Sequence, residues 1–222
     1  MSNLLVSSGA SDLVSKPKQD VRKRPRYAPV QLKRLTGLPT GSISRWLGLT
    51  PQNPTDDLVT SFFDLVECLW VCESLDRGAY LVDLVAFRES CRERGEWDEP
   101  SMIQTFRRDP QSVEKRIAEF QPRLVRPCME ALASVVSHLE FDRQDLPVVY
   151  HTDGFPSRVV IDPSICWGGP IIQGTRVNTD LVWESWKAEG EDASAVARDY
   201  DLIETDVRAA IEFQRLLDAR KP

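Results

Sequence analysis

Histidine is nearly missing. Only His138 and His151 occur in 222 residues, too few for most metal centres or for a nucleophile–base–acid triad. The five cysteines contain no Cys-x-x-Cys pair, and no His-x-x-x-His stands beside them. Cys68 and Cys72 lie one helical turn apart and could hold a metal with two more ligands, but a cysteine pair on one helix face reads as core filler. No run approaches the roughly 18 apolar residues a membrane helix needs. Met1–Ala10 has neither a basic start nor a long apolar stretch, so a signal peptide is not expected. The expectation is a cytoplasmic chain with reduced thiols and no membrane partner. Gly168-Gly169-Pro170 is followed by neither a lysine nor a helix start, which excludes a phosphate-cradling loop. Carboxylates are plentiful, with Asp64 and Glu67 on one helix face, but a metal-dependent nuclease needs them converging at strand ends, and such strands are not evident. These absences together predict no enzyme activity, no cofactor and no metal.

Charge narrows the partners. The net charge is −6, which rules out a wholly basic nucleic-acid binder. Yet Lys16, Lys18, Arg22, Lys23, Arg24 and Arg26 face Asp20 alone across eleven residues, a local net of +5. Residues 1–26 are rich in Ser, Lys, Asp and Pro and show little periodicity, so a flexible basic tail is expected there. It serves equally as a solvated tail or as an arm that touches phosphates.

A mostly helical domain is expected over 27–150. Pro29 suits a first helical turn, and Val30, Leu32 and Leu35 line one face. Gly37 suits a left-handed stop, and a second short helix is expected from about Pro39 to Leu47, with Ile43, Trp46 and Leu47 inward. Two helices around a glycine turn make a helix-turn-helix, or else an ordinary hairpin in a larger bundle. Helices follow at Phe62–Cys72, Tyr80–Arg94 and Pro110–His138, the last broken near Pro122 and Pro127. Trp97–Arg108 carries no readable pattern. Pro147–Tyr150 reads as a strand and His151–Gly154 as a turn.

Residues 151–222 read as a small separate domain with a short β-hairpin and three helices, so the fold class is mainly α. The strands are Val159–Ile161 and Ile171–Ile172. Thr179 is expected to cap the first helix, which buries Leu181, Val182 and one face of Trp183 or Trp186 and stops at Gly190. Asp192 is expected to cap the second, which carries Val196, Ala197 and Tyr200. The third runs from about Thr205 to Arg220 with Val207, Ala210, Ile211 and Leu216 at helical spacing. Such helices could form a second helix-turn-helix, but Asp206, Glu212 and Asp218 interrupt any basic stripe. Two short strands with bare edges are not stable alone, so a homodimer that pairs them is favoured. Arg176 has two readings, a structural link to Asp162 or to helix carbonyls and a contact to a partner's carboxylate, with the structural one preferred.

Two resemblances attach to these residues. Asp162, Pro163, Gly168, Pro170, Gly174, Thr175, Arg176 and Val177 fit the pattern Asp-Pro, Gly-x-Pro, Gly-Thr-Arg-hydrophobic. That signature resembles a small bacterial domain family of unknown function found in VapB-type antitoxins. Leu38–Leu47 resembles the second helix of MerR-like winged helix-turn-helix domains, in which a polar residue, an aliphatic one, one or two basic ones and an aromatic follow in order. Pro39 and Gly41 depart from the usual polar residues at that helix start. Ser61–Glu67 resembles a recurring segment of the longer antitoxin-like chains.

The resemblance implies an antitoxin of a type II toxin–antitoxin pair, an autoregulator that binds operator DNA and inhibits a PIN-domain ribonuclease toxin. Residues 151–222 would then be an antitoxin-like dimerisation domain. The DNA-facing candidates are Arg24, Arg26, Thr40, Ser42, Ser44 and Arg45. The toxin-facing candidates are Arg158, Arg176, Arg208 and Arg215, since a basic side chain suits the toxin's acidic site. The alternatives are a DNA-binding transcriptional regulator without a toxin partner and an interaction scaffold that has lost DNA binding.

Overall fold

The computed structural model describes residues 20–49, 59–97, 101–153 and 157–220. Among them the chain is mainly helical, with a small antiparallel sheet. The tail expected over 1–26 lies outside the described residues as far as 19. Its last part is fastened rather than flexible. Asp20 caps a 3-10 turn at Val21–Lys23, and Arg22 bonds both Asp20 and Asp142, the latter at 2.6 Å.

Helix α1 spans Pro29–Thr36 and α2 spans Thr40–Leu47. Pro29 sits in the first turn of α1, and Gly37 ends it at φ 82° with its amide bonded to the Lys33 carbonyl. Next comes α3 at Phe62–Asp76, opened by a capping box in which Ser61 accepts from the Asp64 amide at 3.2 Å and Asp64 accepts from the Ser61 amide at 2.6 Å. This helix is apolar on nearly every side and runs through the middle of the first core. Around it pack α4 at Leu81–Glu93, α5 at Ser101–Arg108, α6 at Pro110–Phe120 and α7 at Val125–Ser137. Helix α5 fills the stretch that carried no readable pattern, and it buries Met102 and Ile103. The break near Pro122 is real, a 3-10 turn at Pro122–Leu124. Pro127 breaks nothing, because it lies in the first turn of α7, where a missing amide proton costs no intrahelical bond.

The sheet corrects the expected hairpin. Strands β1 (Leu139–Phe141), β2 (Pro147–His151), β3 (Val159–Ile161) and β4 (Pro170–Ile172) run antiparallel in the order β1-β2-β3-β4. Tyr150 pairs with Ile161, and Val160 with Ile171. The expected boundary at 150/151 therefore falls inside β2, and the sheet continues across it. The hairpin edge expected to drive a dimer is not bare, because β3 is paired on both sides within one chain.

Three helices follow: α8 at Thr179–Ala188, α9 at Ala193–Asp199 and α10 at Glu204–Ala219. With Ile172 they enclose a second, smaller core of Val182, Trp186, Val196, Val207 and Ile211. Asp192 caps α9 as expected, accepting from the Ser194 and Ala195 amides. Thr179 does not cap α8. Asn178 holds that position, while the Thr179 hydroxyl is buried and accepts from Gln214 at 2.7 Å. Leu181 and Leu216 are exposed at 48% and 55%, and the inward positions are Val182, Gln214 and Leu217.

The two cores are pinned together near α1. The Tyr27 hydroxyl donates to the Gly168 carbonyl at 2.8 Å. Arg220 donates to the Arg34 and Leu35 carbonyls at 3.1 and 3.0 Å, and Arg34 meets Asp218 at 3.5 Å. Among the described residues no helix is long and apolar enough to cross a membrane.

Candidate functional site

Helix α2 is held from behind by a buried aromatic cluster. Ile43 and Trp46 point inward, and the Trp46 ring meets Trp70 and Trp97 edge-on at 5.7 and 5.8 Å. Its indole donates to the buried Glu67 at 3.2 Å, and the buried Arg88 guanidinium lies 4.8 Å over its ring. These contacts fix the rotation of α2 and leave the opposite face outward. Thr40 and Arg45 are exposed there, with Ser42 and Ser44 half-buried at its margins. Arg45 forms no ion pair among the described residues. From Val21 to Leu49 the chain holds seven Arg and Lys residues and no Asp or Glu. A protein of net charge −6 thus concentrates positive charge on the segment that carries the two helices.

The other DNA-facing candidates are less free than a flexible arm implies. Arg24 is exposed just beyond the 3-10 turn. Arg26 is tied down: its amide bonds the Thr60 carbonyl at 2.7 Å, its Nε bonds the Val21 carbonyl at 3.3 Å, and its guanidinium lies 6.0 Å over Trp167.

The four toxin-facing candidates divide. Arg158 is ion-paired with Asp206. Arg208 donates to Glu204 at 2.8 Å, one helical turn away. Arg215 stacks 5.1 Å over Trp186. Arg176 and Arg215 form no ion pair among the described residues, and of the four only Arg176 has neither an ion pair nor an aromatic ring beneath its guanidinium there; it is exposed. The expected link from Arg176 to Asp162 is not made, because Asp162 caps its own turn, accepting from the Ser164 amide at 2.7 Å and its hydroxyl at 2.5 Å.

The signature has a physical reading. Gly174 turns the corner after β4 at φ 77°, and Thr175 locks it, donating to the Ile172 carbonyl at 2.8 Å and accepting from the Val177 amide at 3.0 Å. Arg176 is thereby held at the rim of a surface cleft of about 460 Å³ over the outer sheet face, lined by Glu140, Val149, Val160 and Ile171.

Sequence reasoning missed Trp167. Cys166, Trp167 and Gly168 all have positive φ, 45°, 59° and 79°, and the indole is 86% exposed. Two such non-glycine residues together store strain of roughly 1–3 kcal/mol each. The Gly168-Gly169-Pro170 run signalled a tight approach, but nothing in the sequence showed which way the tryptophan faces.

A sheet does exist, but Asp142 beside it is bound by Arg22, and the described residues contain no cluster of three or more His, Cys, Asp or Glu side chains that could hold a metal. Burial, then the nearby Glu67, pushes the Cys68 thiol well above its ordinary range, so it is no ready thiolate.

Comparison with known proteins adds the C-terminal part. Residues 159–213 match the family described as "Protein of unknown function (DUF433)", and the match contains the whole Asp-Pro to Gly-Thr-Arg signature. No curated protein matches. The chain is similar to the X-ray crystal structure of Rv2018 from Mycobacterium tuberculosis, with a TM-score of 0.65 and 16% identity over 85% of this chain and 98% of that one. At that identity the likeness is one of fold.

Proposed function

We propose that this chain is the antitoxin of a toxin–antitoxin pair, acting in the cytoplasm. It binds operator DNA through a MerR-like helix pair, α1 and α2, and inhibits a PIN-domain ribonuclease through the face that carries Arg176. The carrying observation is the acid-free segment Val21–Leu49, folded around the Gly37 turn with Thr40, Ser44 and Arg45 facing outward. Serine and threonine hydroxyls and arginine contact phosphates, while the first residues of the second helix reach base edges. The nuclease half rests on the resemblance of the 162–177 signature to VapB-type antitoxins. It gains support from Arg176 and Trp167, the residue types that anchor interfaces, on neighbouring loops joined by the Cys166 thiol at the Arg176 carbonyl.

A mobility shift against the chain's own promoter across a salt series tests the DNA half. Arg45→Ala should weaken binding and lower the salt slope by about one. Unchanged affinity in a folded Arg45→Ala, Ser44→Ala double variant removes this half. Expressing the neighbouring gene with and without this one tests the other half through growth and RNA cleavage. A harmless neighbour, or no rescue and no complex, leaves the second reading, a DNA-binding regulator without a toxin. The engagement of Arg158, Arg208 and Arg215 within the chain favours that second reading.

A further inference from the structure

A cavity of about 230 Å³ lies between α1, α3, the end of α7, strands β2 and β3, and α10. Its floor is apolar, with Leu35, Leu69 and Leu217 among its residues. Charges of both signs line it: Arg220, Asp153 and Glu73, whose Oε2 is paired with Arg77 one turn along the helix and whose Oε1 forms no hydrogen bond with the described residues. Tyr150 lies among them. Its hydroxyl forms no hydrogen bond with the described residues, although the side chain is largely covered. Burial pushes the phenol up to about 12, Glu73 and Asp153 push the same way, and Arg220 opposes them, so all three charges act on that one oxygen. Arg220 gives Nη1 to two backbone carbonyls and keeps Nε and Nη2. His138, also on the wall, gives Nδ1 to the Ser134 carbonyl at 2.8 Å and keeps Nε2.

We propose that this cavity binds a small zwitterion of the apolar α-amino-acid class. The carboxylate meets Arg220, the ammonium meets Glu73 and Asp153, the Tyr150 hydroxyl bonds between them, and the side chain covers the apolar floor. Size agrees with that class. A cavity of about 230 Å³ has room for a small organic molecule rather than for one or two waters. The two signs also select. A simple acid leaves its carboxylate near Glu73 and Asp153 with no cation of its own, and a simple amine leaves Arg220 unanswered.

The site has a route to the helix-turn-helix. Arg220 holds the last carbonyls of α1, and a Cβ placed on Gly37 would meet its Cζ at 3.7 Å. A ligand that draws on Arg220 therefore bears on the turn that aims α2. That regulatory consequence rests on the proposed DNA binding; the ligand site does not.

The test is the melting temperature of the full chain with L-valine, L-leucine, L-isoleucine or L-methionine at millimolar concentration. The matching amines and carboxylic acids serve as controls. At a hundredfold excess over Kd, one amino acid should raise the midpoint by about 5–10 °C while its controls do not. Glu73→Gln should weaken that ligand more than tenfold, and hydrogen exchange at the Gly37 and Leu38 amides should change when it is added. Tyr150→Phe, which removes one oxygen, carries the same test if Glu73→Gln lowers the melting temperature of the free protein. No shift with any amino acid, equal shifts with the controls, or an unaltered response in both variants overturns the site. Loss of promoter binding with the thermal response intact would overturn only the DNA reading.

Discussion

Gly168→Ala should damage the fastening between the two cores more than its single methyl suggests. Gly168 sits at φ 79°, and an added Cβ would lie 2.7 Å from the Tyr27 hydroxyl oxygen and 3.2 Å from the Arg26 Cδ. Holding an L-residue in the left-handed region costs about 1–2 kcal/mol. The methyl must also displace the buried Tyr27 hydroxyl from the Gly168 carbonyl, where it now donates at 2.8 Å. Losing a buried hydrogen bond and stranding its partners adds about 1–2 kcal/mol. The expected total is about 2–4 kcal/mol, read from the urea midpoint at unchanged slope. Tyr27→Phe alone removes the bond and costs about 1 kcal/mol. The two changes should not add, since without the hydroxyl the new methyl has less to strike. The double variant should be more stable than the sum by about 1 kcal/mol. If Gly168→Ala lies within about 0.5 kcal/mol of the parent, or the cycle is additive, the close approach is not what holds this contact.

Three further outcomes follow from particular contacts. The hydrogen bond from Arg22 holds the Asp20 carboxyl below its ordinary 3.8, so the stability it lends is complete above that value and is lost as pH falls through the lower folded one; Arg22→Ala should make the acid unfolding limb shallower below about pH 4, followed by circular dichroism. Asp192→Ala removes the acceptor for the Ser194 and Ala195 amides and should cost about 1 kcal/mol, and a change under about 0.3 kcal/mol would deny it the capping role. A fragment starting at residue 155 loses β2 and bares the β3 edge that Tyr150 and His151 cover; it should self-associate in sedimentation more strongly than the intact chain, and equal behaviour would show that the edge does not drive pairing.

What was legible in the sequence was what local chemistry decides. Pro29 and Gly37 bracket α1 because one has no amide proton to lose and the other accepts a left-handed φ. Val159–Ile161 and Asp192 read correctly for similarly local reasons. The misses are non-local. Leu139-Glu140-Phe141 is three residues long, and its strand character comes from the pairing of Leu139 with Tyr150 across a turn. Leu216 and Leu217 differ by one position, and which one is inward depends on where α10 rests against the sheet and α1. Thr179 has the chemistry of a cap, but the buried Gln214 amide competes for its hydroxyl and wins.

The same distinction governs the arginines. Sequence can nominate an arginine by type and neighbourhood, but whether its charge is free depends on a partner far along the chain. Arg158 is engaged by Asp206, 48 residues away, and Arg220 reaches carbonyls 186 and 185 residues away. Of the four residues nominated to face a toxin, Arg176 and Arg215 are without an ion pair among the described residues, and only Arg176, the one inside the signature at a corner locked by Gly174 and Thr175, also lacks a ring to stack on. Local strain at Cys166 and Trp167 keeps an exposed tryptophan on the adjoining loop. Stability alone favours neither arrangement. An unstrained loop with a buried tryptophan would fold better, while an exposed arginine loses little by lacking an ion-pair partner. Under the proposed function, their proximity sets Arg176 and Trp167 ahead of Arg158, Arg208 and Arg215 as the first positions to vary in a partner-binding assay.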